Sequence, residues 1–247
     1  MLNLPKLIGH RGVKDLSPEN TINSIDLAKK LGLNWIEIDV KISKDLVPIL
    51  LHDDTLKRTA NKEGLPIDYF YKDIKKLDAG YNFYNEATKI YIPTLQEVLL
   101  FCNQKNISLN IELKSNKGFE KENIKSIAKV LSNVNFYNHY YFSSFDCNSL
   151  IMMKEILPNA NYGLLVDNFK KTRTFSDIKM IAKKYNFFCC GLNNKIINSE
   201  IIKEMSDNSI VVNAYSEKNL SVNSAKELWE KGVNSIFTDD PTQFNLI

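Results

Sequence analysis

Short β-prone runs alternate with amphipathic segments of helical period along almost the whole chain, and this alternation limits the fold more than any other feature. The runs read KLIGH, WIEIDV, VPILLHD, SLNIELK, YYFSSF, NYGLLVD, FFCCGL, SIVVNAY and NSIFTDD. Between them lie stretches such as TINSIDLAKKLG, with Ile22, Ile25, Leu27, Ala28 and Leu31 apolar and Gly32 as a stop, and LSVNSAKELWEKG, ended by Gly232. Alternating strand and helix predicts a parallel sheet, because parallel neighbours need a crossover between them. About eight such units fit an α/β closed (β/α)8 TIM barrel, with an open doubly wound sheet as the competitor. No G-x-G-x-x-G follows the first run, where GHRGVKD stands, which weighs against a dinucleotide-binding sheet.

Two features break the rhythm. WIEIDV and VPILLHD are separated only by KISKDL, too short for a crossover helix, so the second piece either continues the first strand or forms a hairpin with it. Residues 54–92 carry turns and aromatics before PTLQEVLLFCNQ restarts a helix, with Pro93 and Thr94 in its opening turn. They are expected to form a small insertion at the barrel mouth, within a single domain spanning 1–247. Its Tyr69, Phe70, Tyr71, Tyr81, Phe83 and Tyr84 either pack on that mouth or supply an apolar groove.

Composition excludes several partners. The 32 basic and 29 acidic residues are interleaved, leaving a net charge of +3 and no basic arm for nucleic acid. Cys102, Cys147, Cys189 and Cys190 show no C-x-x-C spacing and read as buried, reduced thiols. The opening MLNLPKLIGH lacks the parts of a signal peptide, and no apolar stretch approaches the roughly 20 residues that cross a bilayer. A cytoplasmic location without stable membrane insertion is expected.

Chemistry is expected where barrel strands end, since loops gather there around one mouth. Four runs bring titratable groups to that rim: His10 and Arg11, Glu37 and Asp39, His52, and Glu112 with Lys114. Glu37 and Asp39 alternate onto the same face as Trp35, predicted to be the interior, while Ile36, Ile38 and Val40 face the helices. Three interior carboxylates repel one another and lose solvation, so either one hard divalent cation, Mg²⁺ or Ca²⁺, or a buried network of Lys and Arg offsets them. Imidazole titrates near neutrality, so His10 and His52 can act as general acid and base in displacement at phosphorus. His139 starts its strand, at the opposite end, and reads as structural. Arg11 offers planar donors to a phosphate oxygen or pairs with Glu37 or Glu112. Phe145 is either a site wall or a core aromatic. Together these residues suggest a metal-assisted hydrolase of a phosphate ester.

The ordered series GHRG, PENT, Ser24, Ala28, Gly32, IEIDV, Asp45, HDDTLKRT, LDAG, IPTLQEVL, IELK, SSF and GVNSIFTDDP resembles the glycerophosphodiester phosphodiesterase family, from His10 to Pro241. The resemblance implies a barrel with a small insertion after the second histidine and hydrolysis of a small-molecule glycerophosphodiester to glycerol 3-phosphate and an alcohol. It implies His10 and His52 as the acid/base pair, Glu37, Asp39 and Glu112 as metal ligands, and Arg11 and Lys114 as phosphate-binding. Asn20 matches an asparagine near the site, and Glu19 is expected to hold its loop through hydrogen bonds to backbone. One stretch departs: where the family usually has Trp-Thr-x-Asn, this chain has YSEK, in which Tyr215 still offers an aromatic wall. Rival readings are a lysophospholipase D-like hydrolase, which needs an apolar acyl groove, and a phosphodiester-binding protein that has lost catalysis.

Overall fold

The computed structural model describes residues 2–170 and 173–244. The strands are β1 (Leu7–Gly9), β2 (Trp35–Ile42), β3 (Pro48–Leu50), β4 (Ser108–Leu113), β5 (Tyr140–Ser144), β6 (Asn161–Val166), β7 (Cys189–Asn193), β8 (Val211–Tyr215) and β9 (Ser235–Thr238). The helices are α1 (Ile22–Lys30), α2 (Lys57–Ala60), α3 (Tyr71–Ile74), α4 (Tyr81–Tyr84), α5 (Leu95–Lys105), α6 (Glu120–Asn133), α7 (Cys147–Ile156), α8 (Phe175–Lys184), α9 (Ser199–Asp207) and α10 (Val222–Glu230). Every strand except β3 pairs in parallel with its neighbours, and β1 pairs with both β9 and β2, which closes the sheet into a TIM barrel.

The two faces of each strand do different work. Leu7, Ile36, Ile38, Val40, Leu109 and Ile111 point outward into one core with Ile25, Ala28, Val98 and Leu99 of the surrounding helices. Ile8, Trp35, Tyr141, Cys189 and Phe237 fill the lower barrel interior. Burying each large aliphatic side chain contributes about 1.5–3 kcal/mol. Polar side chains cap several helices: Thr21 for α1, Asp146 for α7, Thr174 with Asp177 for α8, and Thr94 with Glu97 for α5, so that Pro93 precedes that helix instead of lying in its opening turn. The four cysteines are free, Cys147 half-buried and the others buried. Among the described residues, no helix is long and apolar enough to cross a membrane.

Of the two forms open for VPILLHD, the structure takes the hairpin: Val40, Lys41 and Ile42 pair antiparallel with Leu50, Ile49 and Pro48. His52 therefore does not end a barrel strand. The hairpin folds the chain back, and Leu51 N donates to Asp39 O at 3.1 Å, which returns the next residue to the level of the β2 carboxylates. The segment beyond it carries α2, α3 and α4 and packs a small second core from Ile49, Leu51, Leu56, Ala60, Ile74, Ala79 and Ile92. Tyr69 and Tyr71 pack against that core, whereas Phe70, Tyr81, Phe83 and Tyr84 are largely exposed.

The loop between β1 and α1 is built on unusual backbone. Arg11, Gly12 and Asn20 all have left-handed φ, of 52°, 88° and 56°. Ser24 fastens the loop by accepting from Val13 N at 2.8 Å and donating to Arg11 O at 3.1 Å. A Cβ on Gly12 would lie 2.2 Å from Ser24 Oγ and 2.7 Å from the Ser24 carbonyl carbon. Strain and overlap together set the expected cost of Gly12→Ala at about 2–4 kcal/mol, measured as a shift in the urea unfolding midpoint.

Candidate active site

A cavity of about 200 Å³ opens at the mouth of the barrel, lined by His10, Arg11, Glu37, His52, Glu112, Lys114, Phe145 and Tyr215 among others. Its floor follows from strand alternation. Glu37, Asp39 and Glu112 face inward from adjacent strands, with Asp39 in register with Glu112. All three are buried, and each brings a carboxylate oxygen within 4.8 Å of the other two. Glu37 Oε1 and Asp39 Oδ1 are buried without a hydrogen-bond partner. Buried lone pairs of this kind are costly unless something accepts them, and an all-oxygen donor set of three carboxylates suits a hard divalent cation.

Of the two ways to offset these charges, the Lys and Arg network is formed directly. Asp39 accepts a hydrogen bond from Asn20 Nδ2 at 2.8 Å and pairs by charge alone with Arg11 Nε at 3.2 Å and Lys114 Nζ at 3.5 Å. Lys114 Nζ also pairs with Glu112 Oε1 at 2.7 Å, and Glu37 Oε2 accepts from Arg11 N at 2.9 Å. These partners are unequal, so the carboxyls diverge. Burial, then the negative charges of Asp39 and Glu112, push the Glu37 carboxyl well above the ordinary range. Burial would raise Asp39 too, but the Arg11 and Lys114 charges and the Asn20 hydrogen bond hold it well below that range.

Two imidazoles stand over this floor, each with Nδ1 against a carboxylate. His10 Nδ1 lies 2.6 Å from Asp239 Oδ1, and its Nε2 is 4.0 Å from Glu37 Oε2. His52 Nδ1 lies 2.7 Å from Asp53 Oδ1. Burial lowers the pKa of both rings, against the partly compensating carboxylates. Each carboxylate accepts from Nδ1–H, which leaves Nε2 as the atom that can gain or lose a proton.

Several side chains differ in placement from the sequence reading. The Arg11 side chain pairs with Glu19 and Asp39, not with Glu37 or Glu112; only its backbone N–H reaches Glu37. Glu19 does not bond backbone: its oxygens accept from Arg11 Nη1 at 3.0 Å and from Arg58 Nη1 and Nη2 at 2.6 and 2.7 Å. Asn20 is buried away from the cavity, with Nδ2 donating to Asp39 and Oδ1 accepting from Asp39 N at 3.1 Å. Phe145 stands exposed on the cavity wall, edge-on to Tyr215 with ring centroids 5.8 Å apart. Tyr215 OH donates to Asp167 at 3.2 Å. His139 precedes β5 at the far end of the barrel. None of the insertion aromatics lines the cavity.

Sequence reasoning passed over Asp239, Asp53 and Arg58. Asp239 was within reach of the same alternation rule, since it lies two residues after the inward-facing Phe237. Asp53 and Arg58 both lie in the HDDTLKRT stretch after His52, which marks the segment but gives neither residue a partner.

Arg58 and His52, bonded to Asp53, lower that carboxyl from 3.8 to about 2. A carboxyl with a lower pKa folded than unfolded adds stability above the unfolded value and loses it as pH falls through the folded one. The stability gap between the natural chain and Asp53→Asn is therefore expected to close between about pH 4 and pH 2. Urea titrations across that range measure it.

Comparison with known proteins agrees with this geometry. The Glycerophosphoryl diester phosphodiesterase family matches residues 10–243. A glycerophosphodiester phosphodiesterase of Caldanaerobacter subterraneus subsp. tengcongensis is 32% identical over 246 residues, covering 98% of this chain and 97% of its own. One of Bacillus altitudinis is 30% identical, covering 96% of each. The structure of an Oleispira antarctica phosphodiesterase in complex with the product sn-glycerol-3-phosphate superposes with a TM-score of 0.89 at 29% identity, over 97% of this chain and 95% of that one. A match of that extent, on a barrel whose mouth gathers these carboxylates and imidazoles, shows that the chain belongs to the glycerophosphoryl diester phosphodiesterase family, a family of hydrolases.

Proposed function

We propose that this chain, acting as one domain over residues 1–247, hydrolyses small glycerophosphodiesters to glycerol 3-phosphate and an alcohol with one divalent cation, Mg²⁺ or Ca²⁺. The observation that carries the reading is the pairing of two carboxylate-oriented imidazoles with three buried carboxylates at one mouth. Glu37, Asp39 and Glu112 are the ligand set. A cation held there supplies charge neutralisation on the phosphate and acidifies a bound hydroxyl. Asn20 fixes Asp39 instead of touching substrate. Arg11 and Lys114 bind phosphate oxygens, Arg11 through planar donors and Lys114 as a mobile point charge. One of His10 and His52 takes a proton from the nucleophile, water or the glycerol 2-hydroxyl, and the other gives one to the leaving alcohol. Phe145 and Tyr215 wall the glycerol or head group, and Phe237 closes the cavity below. The relative from Oleispira antarctica, solved with sn-glycerol-3-phosphate, supports that product class.

The test is release of glycerol 3-phosphate from glycerophosphocholine by the metal-stripped chain resupplied with Mg²⁺ or Ca²⁺. Cation-dependent release is expected. Release from lysophospholipids alone would favour the rival hydrolase, although no aromatic of the insertion faces the cavity to hold an acyl chain. Binding of the diester without turnover would instead mark a phosphodiester-binding protein.

A further inference from the structure

Arg58 of α2 holds two carboxylates at once, and each carries a site residue on its other side. Nη1 and Nη2 donate to Glu19 Oε2 and Oε1 at 2.6 and 2.7 Å. Nε and Nη2 donate to Asp53 Oδ2 and Oδ1 at 2.7 and 2.9 Å. Glu19 Oε1 in turn accepts from Arg11 Nη1 at 3.0 Å, and Asp53 Oδ1 meets His52 Nδ1 at 2.7 Å. The helix bearing Arg58 is itself fastened, since Asn82 Nδ2 donates to the Arg58 carbonyl at 2.7 Å. The loop after β1 and the turn after β3 thus meet at one guanidinium from the insertion.

We infer that Arg58 is a positioning residue that sets the orientation of His52 and of Arg11 together. The inference rests on the reading of His52 as a proton-transfer group and Arg11 as a phosphate-binding group. A planar guanidinium can serve two carboxylates along two edges at a fixed angle, which an ammonium cannot. Without it, Asp53 and Glu19 face each other as like charges. Asp53 turns away from His52 and frees the ring, while Arg11 loses the carboxylate that steadies its outer end. The consequence is double: slower chemistry through His52 and weaker phosphate binding through Arg11.

Steady-state kinetics of Arg58→Ala, Arg58→Lys and Arg58→Ala/Asp53→Asn on the hydrolysed diester test it, with Lys57→Ala as control. Lys57 neighbours Arg58 and, among the described residues, pairs only with the exposed Glu63. For Arg58→Ala, kcat is expected to fall about 100-fold and KM to rise about 10-fold, since small misplacements at a reacting centre cost that much. Arg58→Lys should restore one of the two parameters, not both. The double variant should have no lower kcat than Arg58→Ala, because both changes act through one histidine. Lys57→Ala should stay near the parent, and added guanidinium ion should recover part of the Arg58→Ala loss. A folded Arg58→Ala with kcat and KM near the parent, fully active Arg58→Lys, or additive losses in the double variant would each overturn the inference. Should Arg58→Ala not fold, Arg58→Lys decides alone. A parent chain inactive on every diester, or a fully active His52→Ala, would instead overturn the reading beneath it.

Discussion

His52→Ala and His10→Ala are each expected to lower kcat by about 10²–10⁴-fold with little change in melting temperature, the range lost when a positioned proton-transfer group is removed. Both side chains lie at the cavity and belong to none of the three apolar cores, so their truncation leaves those cores intact. Retention of near-parental kcat in either variant removes that residue from the mechanism. A diester with a nitrophenolate leaving group then separates the two roles, because that anion departs without a proton. The variant lacking the general acid regains most of its rate on such a substrate, and the variant lacking the general base does not. Asp239→Asn and Asp53→Asn give smaller losses, since each leaves the ring in place and removes only its orientation.

Removal of divalent cations by chelation is expected to lower turnover by at least about 10³-fold, and Mg²⁺ or Ca²⁺ to restore it, because a cation held by the three carboxylates would supply several kcal/mol of charge stabilisation. The three carboxylates respond differently when neutralised in the cation-free protein. Asp39→Asn removes the partner of Arg11, Lys114 and Asn20 and is expected to cost about 3–5 kcal/mol, the effect of stranding buried cations. Burial and the neighbouring charges of Asp39 and Glu112 disfavour a charged Glu37, so Glu37→Gln is expected to be neutral or stabilising. Both variants lose cation affinity. Urea unfolding of the cation-free proteins, alongside cation titration by calorimetry, checks the pair; equal destabilisation by the two substitutions would contradict the charge distribution described for the site.

The barrel was legible because its signal is periodic and local. Strand–helix alternation and Gly stops each act within a few residues, and two-residue alternation alone places Trp35, Glu37 and Asp39 inside and Ile36, Ile38 and Val40 outside. His10, Glu37, Asp39, Glu112 and Lys114 could therefore be assigned to one mouth from sequence. His52 could be assigned there only by treating its run as a barrel strand, whereas a hairpin returns it to the rim from above.

What lies across the barrel, or depends on which side chain wins a partner, was decided by the tertiary structure. His10 meets Asp239 across 229 positions of sequence, and Arg58 meets Glu19 across 39. Closure of β1 on β9 creates the first pairing, and the packing of α2 beside the loop after β1 creates the second. Arg11 had several carboxylates to choose from, and the left-handed backbone at Arg11 and Asn20 settles the choice by aiming its backbone N–H at Glu37 and its guanidinium at Asp39 and Glu19. Sequence by itself determined which residues face inward and at which end, because a strand's pleat and a helix's cap are local. Which imidazole is held by which carboxylate was decided only by the fold, because a hydrogen bond's partner depends on ångström-scale distances between elements far apart in the chain.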